Sequence, residues 1–175
     1  FLRTVALGQE FKIGEKVAII GGGNSAIDCA RVAIRVGSKD VSILYRRTRA
    51  EMPAAPEEVE AVIHEGINVV FLIAPNKITA KDGKLAMECV KMKLGEPDAS
   101  GRRSPVRIPG SEFIAEYDNI IAGIGQKADI PDGFGLEVKR GNIKANDNTL
   151  ETSKKGVFAG GDIVTGPASV IGAIA

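Results

Sequence analysis

The sequence predicts an α/β fold in which a parallel sheet carries an added antiparallel β-meander, and three observations lead there. An apolar run of strand length, Val17-Ala18-Ile19-Ile20, ends in three glycines and opens directly into a segment of helical period. A second apolar run, Asp40-Val41-Ser42-Ile43-Leu44-Tyr45, follows one helix later, which completes a βαβ unit. After a third run, Asn68-Val69-Val70-Phe71-Leu72-Ile73, the pattern changes to short strands joined by turn formers, the mark of a meander.

Taken in order, residues 1–7 read as the end of a helix. The chain begins with Phe1 and no initiator methionine, so it is expected to be a piece of a longer protein. The strand at 17–20 is bounded by Gly14 and Gly21. Ala26, Ile27, Ala30, Ala33 and Ile34 recur at spacings of three and four, which predicts a helix over 24–36 ending near Gly37. Residues 52–56 form a loop, and 57–64 a helix with acids in its first turn, where they match the dipole. Its one histidine, His64, reads as an ordinary surface residue. Lys81-Asp82-Gly83-Lys84 is a hairpin tip, and the turn formers of 95–103 predict an exposed loop. Residues 119–125 form another buried strand ending in small residues, where a ligand or a second backbone can approach. The closing segment, 152–162, reads as strand, glycines and an acid, followed by a helix from about Ala168. That strand lacks a sheet of its own and is expected to complete one begun elsewhere.

The glycine turn carries the chemistry. In Gly21-Gly22-Gly23-Asn24-Ser25-Ala26, Gly21 permits the tight turn and Gly23 removes a side chain where a pyrophosphate would approach the backbone. Ala26 keeps the helix close to the strand. Free N–H groups and the positive end of the helix would face the phosphates, which makes this a Rossmann-like dinucleotide-binding domain. About 20 residues on, such a domain tests the adenosine ribose, and an NAD site places an acid there to accept from the 2′-hydroxyl. This chain reads Tyr45-Arg46-Arg47-Thr48-Arg49 instead. A planar, permanently charged fork suits a 2′-phosphate, so the site is expected to prefer NADP(H), with Arg46 the main contact and Arg47 beside it.

Composition excludes other classes. The formal net charge of +1 over 175 residues offers no nucleic-acid surface beyond the Arg46 to Arg49 patch. No apolar stretch is long enough to span a bilayer and no leader is visible, so the chain reads as soluble and cytoplasmic. Cys29 and Cys89 are far apart and outside any C-x-x-C pair or metal spacing, which removes dithiol exchange and metal binding; both read as small buried hydrophobes.

Together the glycine turn, Tyr45-Arg46-Arg47-Thr48-Arg49, Glu51-Met52-Pro53-Ala54, Ala122-Gly123-Ile124-Gly125-Gln126 and Val157-Phe158-Ala159-Gly160-Gly161-Asp162 resemble the small (beta) subunit of NADPH-dependent glutamate synthase over nearly the whole chain. The same module resembles the flavin-reducing part of dihydropyrimidine dehydrogenase and of electron-bifurcating ferredoxin-NADP oxidoreductases. In these proteins an NADP(H) domain is inserted into an FAD domain, NADPH reduces the flavin, and iron-sulfur clusters carry electrons away. The resemblance implies that Gly22, Gly23, Asn24 and Ser25 lie along the pyrophosphate and that Arg46 and Arg47 meet the 2′-phosphate. It places Ala122, Gly123 and Gly125 along the cofactor near the domain junction. Gly161 and Asp162 would contact the ribityl and phosphate part of FAD, and the helix near Ala168 would aim its positive end at the flavin ring.

The expected division is an incoming FAD-domain segment at 1–9, the NADP(H) domain at 10–125, and a return segment with the C-terminal remnant of the FAD domain at 126–175. A complete relative has an N-terminal FAD fingerprint and iron-sulfur cysteines upstream, and neither is in these residues. The chain alone is therefore expected to bind NADP(H) but not FAD or clusters, and to have no turnover. Its expected partners are that missing FAD and iron-sulfur part and a large catalytic subunit. The rival expectation is a stand-alone NADP(H)-binding or regulatory module, against which the flavin-type motif at 160–162 counts.

Overall fold

The computed structural model describes residues 1–126, 128–167 and 170–174. They divide into two compact units, Phe1–Gly125 and Gln126–Ala175.

The first unit opens with the short helix α1 (Leu2–Ala6) and then winds β1 (Lys16–Ile20), α2 (Asn24–Arg35), β2 (Asp40–Tyr45), α3 (Pro56–His64) and β3 (Asn68–Phe71). A later strand, β8 (Asn119–Ala122), joins the same sheet. The order is β3-β2-β1-β8, all parallel, with Val17 level with Val41 and Asn119, and Ile19 level with Ile43 and Ile121. Strand β1 is central and covered on both faces, which is why it is a continuous apolar run rather than an alternating one. Val17, Ile19, Val41 and Ile43 point to the side of α2 and α3, where Ala26, Ile27, Ala30, Val59 and Val62 complete the core. Ala18 and Leu44 point the other way, against Met87, Cys89 and Tyr117.

Those last three residues belong to the antiparallel layer, β4 (Ile73–Lys81), β5 (Lys84–Pro97), β6 (Arg103–Arg107) and β7 (Phe113–Tyr117), in which β5 pairs with all the others. The first unit thus has three layers: helices, parallel sheet, antiparallel sheet. The expected hairpin tip is present, with Lys81 opposite Lys84 and both Asp82 and Gly83 at positive φ, as a tight primed turn needs.

Several boundaries differ from those expected. The segment 95–103 is not a loop throughout: β5 runs on to Pro97, β6 starts at Arg103, and only 98–102 turns. Pairing of Leu94 with Pro105 and of Pro97 with Arg103, on either side of an irregularity at 95–96, keeps this stretch in strand despite its turn propensity. Strand β3 stops at Phe71 because Leu72 takes φ 56 and redirects the chain into β4. Helix α3 begins at Pro56, since proline suits the first helical position.

The second unit has less regular structure. Strands β9 (Val138–Lys139) and β10 (Asn142–Ile143) form a two-stranded ribbon, and the expected closing strand makes only isolated bridges, Ala145 with Thr152 and Glu151 with Phe158. Two short helices follow, α4 (Asp162–Thr165) and α5 (Val170–Ile174). The expected helix start at Ala168 lies outside the described residues.

Helices α2 and α3 are joined at their surface by charge. Arg31 donates to Glu58 and Glu65, both at 2.9 Å, and Arg35 donates to Glu65 at 2.9 and 3.1 Å. Hydrogen bonds from Arg35 and Arg31 pull the Glu65 carboxyl from 4.5 to about 2. A depressed carboxylate stabilises the fold above its unfolded value and ceases to do so as pH falls through the folded one. Glu65→Gln is therefore expected to lower the urea midpoint at pH 7, and its deficit against the parent should close as pH falls from 4.5 to about 2.

Candidate functional site

The site starts from backbone crowding. At the end of β1, Gly21 takes φ 149, and a Cβ there would lie 2.2 Å from the Gly123 carbonyl oxygen. The Gly123 N–H donates to Ile20 O at 2.8 Å, and a Cβ on Gly123 would meet Ala26 Cα and Cβ at 3.0 Å. The ends of β1 and β8 and the first turn of α2 thus converge where only two glycines and an alanine fit. This point is the C-terminal edge of the sheet between β1 and β8, where the strand order reverses, the crevice in which open α/β sheets hold ligands.

The next two glycines differ in kind. A Cβ on Gly22 would strike the Tyr45 ring at 2.5 Å, whereas one on Gly23 would meet nothing nearer than Pro53 Cγ at 3.9 Å. Gly22 is a packing glycine, and Gly23 faces open space at the head of α2. There the N–H groups of Gly22, Gly23, Asn24 and Ser25 meet no acceptor among the described residues. Four unmet donors at the positive end of a twelve-residue helix form a cradle for an anion.

The loop expected at 52–56 braces this cradle. The Asn24 side-chain oxygen accepts from the Ala55 N–H at 3.0 Å, and Gly22 O accepts from the Ala54 N–H at 3.0 Å. Tyr45 is buried beneath Gly22, and its hydroxyl donates to Glu51 O at 2.7 Å. Within the loop, Thr48 and Glu51 close a capping box around the 3₁₀ turn Arg49–Glu51, and the Thr48 hydrogen bonds hold the Glu51 carboxyl below its usual range. The T-x-x-E spacing of Thr48 and Glu51 was the signal that could have revealed this.

The arginines separate into distinct roles. Arg46 is exposed and has no carboxylate partner among the described residues. Arg47, expected beside it on a phosphate, is buried: its Nη2–H donates to Asp98 Oδ2 at 2.6 Å and its Nε–H to Arg103 O at 2.7 Å. A guanidinium so engaged has its fork directed into the turn at 98–102. Arg49 pairs with Glu60.

The remaining expected residues are placed as follows. Ala122 is exposed at the end of β8, Gly123 is half-buried against Ala26, and Gly125 has φ 87 with open space at its Cβ. In the second unit, Gly161 has φ 69 and caps α4, whose first residue is Asp162, and a Cβ on Gly161 would lie 3.3 Å from Ala173 Cβ. Cys29 and Cys89 are free and buried in different cores, and burial raises both thiols. No helix among the described residues is long and apolar enough to cross a membrane.

A family model for pyridine nucleotide-disulphide oxidoreductases matches residues 2–175. The chain belongs to that family. Among the chain's relatives is the NADP(+)-dependent formate dehydrogenase subunit beta of Moorella thermoacetica, 51% identical over 93% of this chain and 23% of the relative. The glutamate synthase [NADPH] small chain of Azospirillum brasilense is 39% identical over 92% of this chain and 34% of its own length. Among solved structures, Mycobacterium tuberculosis FprA in complex with NADPH shares the fold, with a TM-score of 0.70 at 18% identity over 91% of this chain and 49% of that one. The chain thus spans about a quarter to a third of those curated relatives. The family's sequence relatives include NADPH-dependent oxidoreductases, as the resemblance implied. Cys29 and Cys89, buried in separate cores, do not form an exchanging pair with each other.

The glycines make a divided expectation. Gly22→Ala should cost about 1–3 kcal/mol of stability through the Tyr45 clash. Gly23→Ala should cost about 1 kcal/mol or less, because φ −94 suits any residue, yet its methyl would enter the anion cradle. Urea denaturation beside dinucleotide titration reads both; Gly23→Ala should lose affinity with little change in midpoint.

Proposed function

We propose that this chain is the NADP(H)-binding portion of an NADPH-dependent flavin oxidoreductase of the glutamate synthase small-subunit type, one that passes hydride from NADPH to FAD and electrons on to iron-sulfur clusters. The observation that carries the reading is the pairing of an acceptor-free N–H cradle at Gly22, Gly23, Asn24 and Ser25 with an exposed, unpaired Arg46 one residue past the end of β2. The names of the relatives support it, since those of the formate dehydrogenase and glutamate synthase subunits specify NADP or NADPH.

When bound, NADPH supplies a hydride that the flavin can accept; the chain's own residues bind and orient. Gly22 to Ser25 offer backbone donors to the pyrophosphate, and the head of α2 adds its positive end. Gly23 leaves the room that the phosphate oxygens need. Arg46 offers a bidentate fork to the 2′-phosphate, where a carboxylate would instead select the 2′-hydroxyl of NAD(H). Ala122, Gly123 and Gly125 bring bare backbone to the rim of the same crevice, where a nicotinamide-bearing ligand would extend. In the second unit, Gly161 and Asp162 are assigned to the ribityl and phosphate part of FAD on the strength of the family. Arg47 is withdrawn from direct phosphate contact, because it is buried and its Nε and Nη2 already donate to Arg103 O and Asp98 Oδ2. No acid or base is assigned, since hydride transfer between cofactors requires none from the protein.

Arg46→Ala should weaken NADPH binding by about tenfold to a hundredfold, the worth of a charge-assisted hydrogen-bonded pair, and leave NADH unchanged. Isothermal titration with both coenzymes checks this, and an unaltered NADPH to NADH ratio would end the assignment.

A further inference from the structure

We propose that Arg47 and Asp98 act as a positioning pair that aims Arg46, so that the turn at 98–102 sets coenzyme discrimination without touching the coenzyme. The inference rests on the assignment of Arg46 above. Asp98 lies 51 residues beyond Arg47 in sequence, in the turn between β5 and β6, and nothing in the glycine motif points to it.

Arg46 is a single exposed residue held between two anchored neighbours. On one side Tyr45 is buried, with its ring under Gly22 and its hydroxyl on Glu51 O. On the other, Arg47 is only 4% exposed and fixed through both its side chain and its main chain. Its carbonyl accepts from the Leu72 N–H at 3.2 Å, and Leu72 O accepts from the Met92 N–H at 2.8 Å, which ties residue 47 into β5. Its guanidinium grips the turn twice, at Asp98 Oδ2 and Arg103 O.

The gripped turn is itself closed. Asp98 Oδ1 accepts from the Ser100 N–H at 2.8 Å, the Asp98 N–H donates to Arg102 O at 2.8 Å, and the Gly101 N–H donates to Asp98 O at 2.9 Å. Arg103 adds bonds back to Leu94 O and Gly95 O, both at 3.2 Å. The carboxylate therefore connects a preformed turn to a buried cation, and the backbone that leads into Arg46 inherits that rigidity. A fork-shaped donor must be held close to its productive angle to bind a phosphate through two bonds, so loosening residue 47 blurs the aim of residue 46. The same pair also neutralises Arg47, leaving Arg46 as the one unpaired positive group between Tyr45 and Thr48.

The test uses the full chain with 2′,5′-ADP and 5′-AMP as probes, because the two differ only in the 2′-phosphate. Asp98→Asn keeps an acceptor for Arg47 but removes the charge; it should weaken 2′,5′-ADP by about fivefold or more while 5′-AMP is unchanged. Asp98→Glu should restore part of the loss. In an Arg46→Ala background, Asp98→Asn should have no further effect on 2′,5′-ADP. A purely structural pair would lower both probes together, or lower only the melting temperature, and either result overturns the inference. If Asp98→Asn fails to fold, Arg47→Lys, which keeps the charge and loses the fork, is read by the same ratio. An Arg46→Ala variant with normal 2′,5′-ADP affinity would overturn both this inference and the coenzyme assignment. A discriminating Arg46 with an indifferent Asp98 overturns this inference alone.

Discussion

The first unit depends on one close approach of backbones, where the Gly21 Cα faces the Gly123 carbonyl and the Gly123 Cα faces Ala26. A methyl group on either glycine would fall at or inside 3.0 Å of backbone atoms, and backbone cannot yield as a flexible side chain can. This crowding brings β8 beside β1 and starts α2 directly over the edge of the sheet. The unmet N–H groups of the first turn of α2 follow from the same approach. Helix geometry leaves those donors without partners, and the missing side chains leave them uncovered. An anion cradle is thus a by-product of tight packing at the strand crossover.

Layering explains how this crowded point stays in register. Because β1 is covered by helices on one face and by the antiparallel sheet on the other, slipping it by one residue would exchange Ala18 for Val17 or Ile19 in a core shaped for the smaller group. Tyr45 extends that control beyond the sheet. Its ring fills the space that Gly22 vacates, and its hydroxyl holds Glu51, so the end of β2, the glycine turn and the following loop move as one body. The loop returns the support through Asn24 and Ala55, which fix the head of the helix from outside.

Much of this was legible in the sequence, for identifiable reasons. The βαβ unit, the helix from Asn24 and the hairpin tip at Asp82 and Gly83 all rest on local signals: periodicity, a glycine at positive φ, a turn dipeptide. The extent of β5 was not legible, because its end is held in strand by the pairing of Leu94 and Pro97 with β6, an effect between separate strands that propensity does not register. The fate of Arg47 was hidden for the same reason. Nothing near Arg47 in sequence distinguishes it from Arg46 or Arg49; only the fold brings Asp98 within reach. The Thr48 and Glu51 box was local and readable, and it marks where the basic run turns back toward the glycines.

Charge in that basic run is the last step. Three arginines within four residues suggest a broad positive patch, but a patch attracts anions only with the charge that remains unpaired. Arg47 is matched by Asp98 and buried, where an unpaired cation would be costly. Arg49 is matched by Glu60 at the surface, a pairing that salt screens and that contributes little to stability, but that still cancels local potential. What remains is a single exposed guanidinium beside an uncharged cradle of N–H donors. Under the proposed function, such an arrangement would suit a ligand with two separated phosphate groups better than a general polyanion, because one cation and one cradle offer two contacts. On the proposed reading, selectivity would arise from cancelling most of the positive charge and leaving one guanidinium unpaired.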